Sequence, residues 1–277
     1  MMRDMDLVRE GTSKTEVEPA GSASAHWRWI LLPLTFLVGI AIWWAVAKLS
    51  GLPTFILPAP DRVWARFVNV LVDGTLLRHA GVTLTEVLMG LGVGVLSATL
   101  LGYTLAKSRN LERVLSPYVV ASQSIPVVAI APLLVIWLGP GQLSKVVVAA
   151  LIVFFPVLVN TVVGVRSVPE DLYELMRSLR ASRWQIFSKL EVPAALPVLL
   201  GGLKIGATLS VIGAVVGEFV GADAGLGFLI NLARGMYDTP LVFVALISLV
   251  VLAMSLYGLV ELMERTLLSW QQPEASR

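Results

Sequence analysis

The chain has 277 residues, 56% of them hydrophobic and 14% charged, with a net charge of +2 and a mean hydropathy of +0.81. Soluble domains carry about 25% charged residues, so the apolar excess places this chain in a bilayer. Cysteine is absent, which excludes disulfides, thiolate metal sites and cysteine nucleophiles.

Residues 1–28 are polar and mixed in charge, and the reading there is a disordered cytoplasmic tail. The first apolar run starts near Trp29 and lacks a small-residue cleavage site, so no signal peptide is expected. Crossing the hydrocarbon core takes about 20 apolar residues. Six stretches meet that need: 29–47, 84–106, 114–138, 143–165, 197–220 and 241–262. The fold class expected is all-α, a polytopic membrane protein of six transmembrane helices over 29–270, with a second short tail at 271–277.

After the first crossing, residues 61–72 carry Val63, Trp64, Phe67, Val68 and Leu71 at helical spacing. This predicts an interfacial helix on the outer surface. The second crossing is rich in glycine at Gly90, Gly92, Gly94 and Gly102. Gly90 and Gly94 form a GxxxG pattern, which points to close helix packing within the chain or across a dimer. Pro117, Pro126 and Pro132 interrupt the third crossing, and Pro156 lies in the fourth.

Between the fourth and fifth crossings stands a charged, helix-forming segment, 167–197. Ser167 precedes Glu170 by three residues and Ser182 precedes Gln185 by three, so each pair can form a capping box. Leu172, Leu175, Met176 and Leu179 share one face of the first helix, and Trp184, Phe187 and Leu190 line the second. Pro193 and Pro197 are expected to close the segment. An apolar face with a basic rim, held at the membrane surface, suits docking into another protein. After the fifth crossing, the glycine-rich stretch 221–243 reads as a re-entrant or surface loop.

Basic residues set the orientation. With the N-terminus inside, the inner side holds Arg3, Arg9, Lys14, Arg28, Lys107, Arg109 and Arg113. It also holds Arg166, Arg177, Arg180, Arg183, Lys189, Arg265 and Arg277. The outer side holds Lys48, Arg62, Arg66, Arg78, Lys145 and Arg234, so the balance is 14 against 6 and both termini are expected inside. Lys204 is expected to snorkel to the inner interface.

No GxxxxGK[ST], no HExxH and no nucleophile elbow occur, and His26 and His79 are far apart in sequence. The chain is therefore not expected to hydrolyse ATP or to act as an enzyme, and neither cofactor nor metal is expected. A basic face with interleaved aromatics is missing too, which argues against nucleic acid. Polar residues within the crossings remain: Gln123 and Ser124 ahead of Pro126, Asn160 and Thr161 after Pro156, and Glu218 and Glu86 near outer ends. Two readings stand for Gln123, Ser124, Asn160, Thr161 and Glu218. They line a polar translocation path, or they hydrogen-bond helix to helix; Glu86 fits the second better.

The docking segment resembles the cytoplasmic loop of inner-membrane permeases of bacterial ABC importers. That loop reads Glu-Ala-Ala, three residues, Gly, nine residues, Ile-x-Leu-Pro. Glu174 takes the Glu position, Leu175 and Met176 replace the alanines, Arg180 stands where Gly is usual, and Leu190, Val192 and Pro193 close the pattern. An arginine there implies a strained left-handed residue or a differently built turn. LPAPDRVW, IPVVAIAPLLVIWLGPG, FFPVLVNTVVGVRSV and GEFVGADAGLGFLI resemble the nitrate, sulfonate and taurine group of these permeases. The stretch from SLRASRWQIF onward is most similar to permeases for riboflavin or for pyrimidine precursors of thiamine.

The resemblance implies a homodimer in the inner membrane with two cytoplasmic ATP-binding ABC subunits and a periplasmic substrate-binding protein. It also implies that the coupling loop, 166–193, seats on the ATPase. Glu174, Leu175, Leu179, Arg180, Ala181, Trp184, Leu190 and Pro193 are its candidate coupling residues. The alternatives from other classes are a secondary transporter driven by an ion gradient and a non-transporting scaffold. The first would need a midplane ion site, whereas the ionisable residues here lie near span ends.

Overall fold

The computed structural model describes residues 23–269, all helix, turn or irregular chain with no strand among them. Of the two expected tails, 1–22 and 271–277 lie outside the described residues, and 23–28 belong to the first helix. That helix, α1 (Ala23–Leu49), falls in a unit of its own, 1–52, separate from the unit 53–277. Its apolar part, Pro33–Leu49, is shorter than the other candidate crossings and exposes Phe36, Leu37, Ile42 and Trp44.

The second unit starts with α2 (Pro60–Val72), which matches the expected interfacial segment. Pro60 sits at a first-turn position, where its missing N–H costs no hydrogen bond. The face that α2 buries is narrower than the apolar stripe. Val63 and Val70 are buried, while Trp64, Val68 and Leu71 are exposed. Arg66 pairs with Asp238 at 2.8 Å and so ties α2 to the start of the last helix.

Helix α3 (Thr75–Lys107) begins nine residues before the expected crossing at 84. Left-handed Gly74 (φ 78°) and the Asp73 carboxylate, which accepts from the Thr75 N–H at 2.8 Å, start it early. After it come α4 (Arg109–Gln123), α5 (Val127–Leu138) and α6 (Gln142–Arg166). Two short helices come next, α7 (Glu170–Ser178) and α8 (Arg183–Ile186). A π-helical turn, Phe187–Glu191, leads into α9 (Val192–Gly221). The last two are α10 (Leu226–Gly235) and α11 (Thr239–Leu267).

Helix α6 is the centre of the bundle, and glycines set its spacing on both sides. Along α3, Gly90, Gly94 and Gly102 meet Ala149, Val153 and Thr161 of α6 in the same order, so the two helices run parallel. Along α9, Gly202, Gly206, Gly213 and Gly217 meet Asn160, Val157, Ala149 and Lys145 in reverse order, so α9 is antiparallel. The GxxxG pair thus packs within the chain. Gly92, on the other side of α3, has nothing within 4 Å of a built Cβ. The core under these contacts is Ala98, Leu105, Val153, Val157 and Leu158, with Ala131 and Leu134 of α5 against Val148.

The chain returns between the parallel helices α3 and α6 through α4 and α5. They bend by 91° at residues 124–126, where Pro126 takes an extended conformation. The stretch expected as the third crossing is thus two helices with a sharp bend between them, the shape of a broken span or of a re-entrant loop. Among the described residues, four helical stretches are long and apolar enough to cross a membrane: Thr75–Lys107, Gln142–Arg166, Arg183–Gly221 and Thr239–Leu267. The bent pair makes a fifth candidate.

Candidate functional site

The docking segment grows out of the end of α6. Arg166 forks onto Glu112 of α4, with Nη1 and Nη2 each 2.6 Å from a carboxylate oxygen, and Nη2 also reaches the Leu105 carbonyl at 3.3 Å. The expected capping box at Ser167 and Glu170 is not formed. Ser167 ends α6, its hydroxyl donating to the Gly164 carbonyl at 2.8 Å, and Pro169 precedes α7 without a side-chain cap. Glu170 and Asp171 instead put negative charge in the first turn of α7, where the helix dipole favours it.

Helix α7 ends in a Schellman motif. Arg180 N–H donates to the Arg177 carbonyl and Ala181 N–H to the Met176 carbonyl, both at 2.9 Å, with Arg180 at φ 53°. These are the paired end bonds that a left-handed residue permits, usually glycine. Of the two outcomes an arginine implies here, the left-handed residue is the one present. The second capping box also forms: Ser182 Oγ accepts from Gln185 N–H at 3.2 Å, and Gln185 Oε1 accepts from Ser182 N–H at 2.7 Å.

The prolines do not close the segment as expected. Helix runs from Arg183 to Gly221 through both Pro193 and Pro197. In the π turn, Val192 N–H bonds five residues back to Phe187, and this wider turn absorbs the proline ring next to it.

The apolar face of α7 points away from the bundle. Leu172, Leu175 and Leu179 are exposed, Leu179 at 69%, and Trp184 of α8 is 71% exposed. Glu174 and Arg180 are exposed beside them, while Ala181, Leu190 and Pro193 are half-buried. These large apolar side chains together form an exposed patch on the short helices. Tyr173 and Phe187 face inward, to Lys107 and to Tyr103 respectively.

The residues considered for a path occupy different walls. Gln123 and Ser124 end α4 at the bend and are exposed. Asn160 faces α9: its Nδ2 donates to the Pro156 carbonyl at 2.8 Å and its Cβ lies against Gly202. Thr161 is buried against Gly102 of α3 and donates to the Val157 carbonyl at 2.7 Å. Phe154 packs on the core cluster and meets Phe155 edge to face. Lys204 pairs with Glu261 and Glu264 of α11.

Glu218 belongs to a buried cluster at the opposite end of the bundle. Thr83 Oγ1 donates to Glu218 Oε1 at 2.6 Å, and the Gly227 N–H donates to Oε2. Leu226 N–H donates to Thr83 Oγ1 at 2.8 Å, and Gly225 N–H to His79 Nδ1 at 3.0 Å. Carboxylate, hydroxyl and imidazole thus satisfy the first N–H groups of α10. A Cβ at Gly225 would run into the Glu218 carboxyl, and φ there is 113°. Beside this cluster, buried Glu86 has Oε1 4.0 Å from Lys145 Nζ, which donates to the Pro140 carbonyl at 2.8 Å. Glu86 and Lys145 line a cleft of ≈ 560 Å³ with Arg78, Thr85, Gln142 and Asp223, so it carries charge of both signs. Sequence reasoning missed Thr83, His79 and Lys145 here; the available signal was an ionisable trio, Glu86, Lys145 and Glu218, beside apolar helices.

Comparison with known proteins places this architecture. The family pattern described as "Binding-protein-dependent transport system inner membrane component" matches residues 90–269. The chain is 48% identical to the riboflavin transport system permease protein RibX of Chloroflexus aurantiacus, over 93% of this chain and 97% of that one. It is 36% identical to the formylaminopyrimidine transport permease protein ThiX of Halalkalibacterium halodurans, over 87% and 96%. Against the taurine transport system permease protein TauC of Escherichia coli the identity is 30%, over 91% and 96%. Among solved structures, a chain of the MetNI methionine ABC transporter in an inward-facing conformation shares the fold. Its TM-score is 0.64 at 22% identity, over 71% of this chain and 97% of that one.

Proposed function

Because the chain belongs to the family of binding-protein-dependent transport system inner membrane components, we propose that its cargo is a small flat heteroaromatic, riboflavin or a pyrimidine precursor of thiamine. The chain is the permease subunit of an ABC importer, and ATP is hydrolysed on a separate ATPase subunit with which it works. What carries the cargo reading is the 48% identity with a riboflavin permease along nearly the whole of both chains. Neutral, amide-bearing Gln123 and Asn160 favour the same cargo, since amides pair with donor and acceptor edges of a heterocycle.

The segment 166–193 is the coupling loop in this reading. Leu175, Leu179 and Trp184 enter a groove on the ATPase, and Glu174, Arg180, Ala181, Leu190 and Pro193 shape or frame that joint. Two copies of the chain form the pathway, with two ATPase subunits beneath and a periplasmic binding protein above. Residues 29–270 are the permease domain, with six crossings and both termini cytoplasmic. Gln123, Ser124, Asn160, Thr161 and Glu218 are the candidate path residues, reached by the cargo when the helices part.

A second reading, sulfonate, taurine or nitrate as cargo, draws on 32% identity to an aliphatic sulfonates permease and 30% to the taurine permease. The partner binding protein separates the two. Isothermal titration of that protein should show saturable binding of riboflavin or an aminopyrimidine. Binding of taurine, alkanesulfonate or nitrate, with none of a heteroaromatic, would replace the first reading by the second.

A further inference from the structure

Glu191 is only 2% exposed, although the segment it closes faces outward. Its carboxylate accepts from the Tyr103 hydroxyl at 2.9 Å and pairs with Lys107. Tyr103 and Lys107 are four residues apart on α3 and share a face. The Lys107 ammonium also lies over two rings, 5.1 Å from the centroid of Tyr173 on α7 and 5.8 Å from that of Tyr103. Burial pushes the Tyr173 hydroxyl above its ordinary range, and the neutral ring faces the cation.

A second line of contacts reaches the same turn of α3. The Tyr103 ring meets Phe187 edge-on at 5.4 Å, and Phe187 lies 5.4 Å from exposed Trp184. Both helices of the docking segment therefore converge on Tyr103 and Lys107, with Glu191 between them. The π turn explains the aim. One extra residue in a turn rotates the rest of the helix by about 100°, and Glu191 closes that turn.

We propose that Glu191 is the positioning residue through which displacement of the 166–193 segment reaches the Lys107 end of α3. This rests on the docking reading of that segment. A buried carboxylate held by a hydroxyl and an ammonium resists separation, because parting them leaves an unpaired buried charge. Helix α3 is in turn seated glycine-close on α6 at Gly90, Gly94 and Gly102. A push on α7 and α8 thus moves α3 and α6 as packed rods, beyond the direct continuation into α9.

The test uses the full complex of permease, ATPase and binding protein in proteoliposomes. Glu191→Gln removes the charge at constant shape, and Tyr103→Phe removes only the hydroxyl. Three quantities are read: ATPase retained on purification, ATP hydrolysed, and solute taken up per ATP. Both variants should retain the ATPase and hydrolyse ATP, while uptake per ATP falls about fivefold or more. Unchanged uptake per ATP in both would overturn the proposal. Loss of the ATPase from either variant would overturn it as well, by making the cluster part of the docking surface itself. Failure of the docking reading shows separately, as retained ATPase and uptake in Leu179→Asp.

Discussion

A Cβ added to Gly213 of α9 would come within 2.5 Å of the Cα of Ala149 on α6. The obstacle is backbone, so no rotamer change can relieve it. On its other side the Ala149 methyl stands 2.5 Å from where a Cβ of Gly90 would fall. One alanine thus fixes the separation of three helices. Gly213→Ala should separate α6 from α9 and cost about 1–3 kcal/mol, seen as a lower Tm of the purified protein in detergent. Gly92→Ala, which meets nothing within 4 Å, should leave Tm unchanged or raise it. Equal effects of the two would contradict this packing.

The exposed apolar face of α7 leads to a second expectation. Leu179→Asp places a carboxylate in the proposed joint, where an unpaired charge costs several kcal/mol. Because Leu179 is 69% exposed in the free chain, the variant should fold and reach the membrane as the parent does. ATPase co-purification and uptake should both fail. Normal ATP-driven uptake by this variant would remove the docking role.

Arg180 tests the turn itself. Its left-handed backbone (φ 53°) costs a non-glycine residue about 1–2 kcal/mol. Arg180→Gly should therefore stabilise the turn, and Arg180→Val should destabilise it, since a β-branched residue tolerates that region least. Hydrogen exchange of the amides of Leu179, Arg180 and Ala181 reads the effect. Slower exchange in the glycine variant and faster in the valine variant are expected; the reverse order would count against the Schellman turn.

The orientation has its own measurement, helped by the absence of cysteine. A Ser182→Cys variant should react with impermeant thiol reagents only from the cytoplasmic side. Ala224→Cys, in the loop before α10, should react only from outside. Labelling of both from one side would overturn the six-crossing arrangement.

What could be read from sequence was local. The Ser182–Gln185 box spans three residues and formed as expected, and the left-handed Arg180 came from one departure in a motif. Ser167 and Glu170 have the same spacing, but α6 continues to Arg166 and draws Ser167 into its own end. Propensity carries no trace of that competition. The prolines marked a break in the third crossing, yet a 91° bend depends on what α4 and α5 pack against. The GxxxG pair predicted close packing, while its partner on α6 could not be named. Thr83 and Glu218 meet across 135 positions of sequence, and no periodicity connects them. Glu191 fell in an unspecified position of the closing motif, so its burial was invisible until α3 was in place beside it.

ATP-driven import of a heteroaromatic solute is tested most directly by uptake into proteoliposomes that hold the permease and its ATPase, with the binding protein supplied. Uptake of riboflavin or a thiamine-type pyrimidine should be saturable and ATP-dependent, and absent without the binding protein. Saturable ATP-dependent uptake of taurine or nitrate, with no uptake of pyrimidine or flavin, would contradict the heteroaromatic cargo.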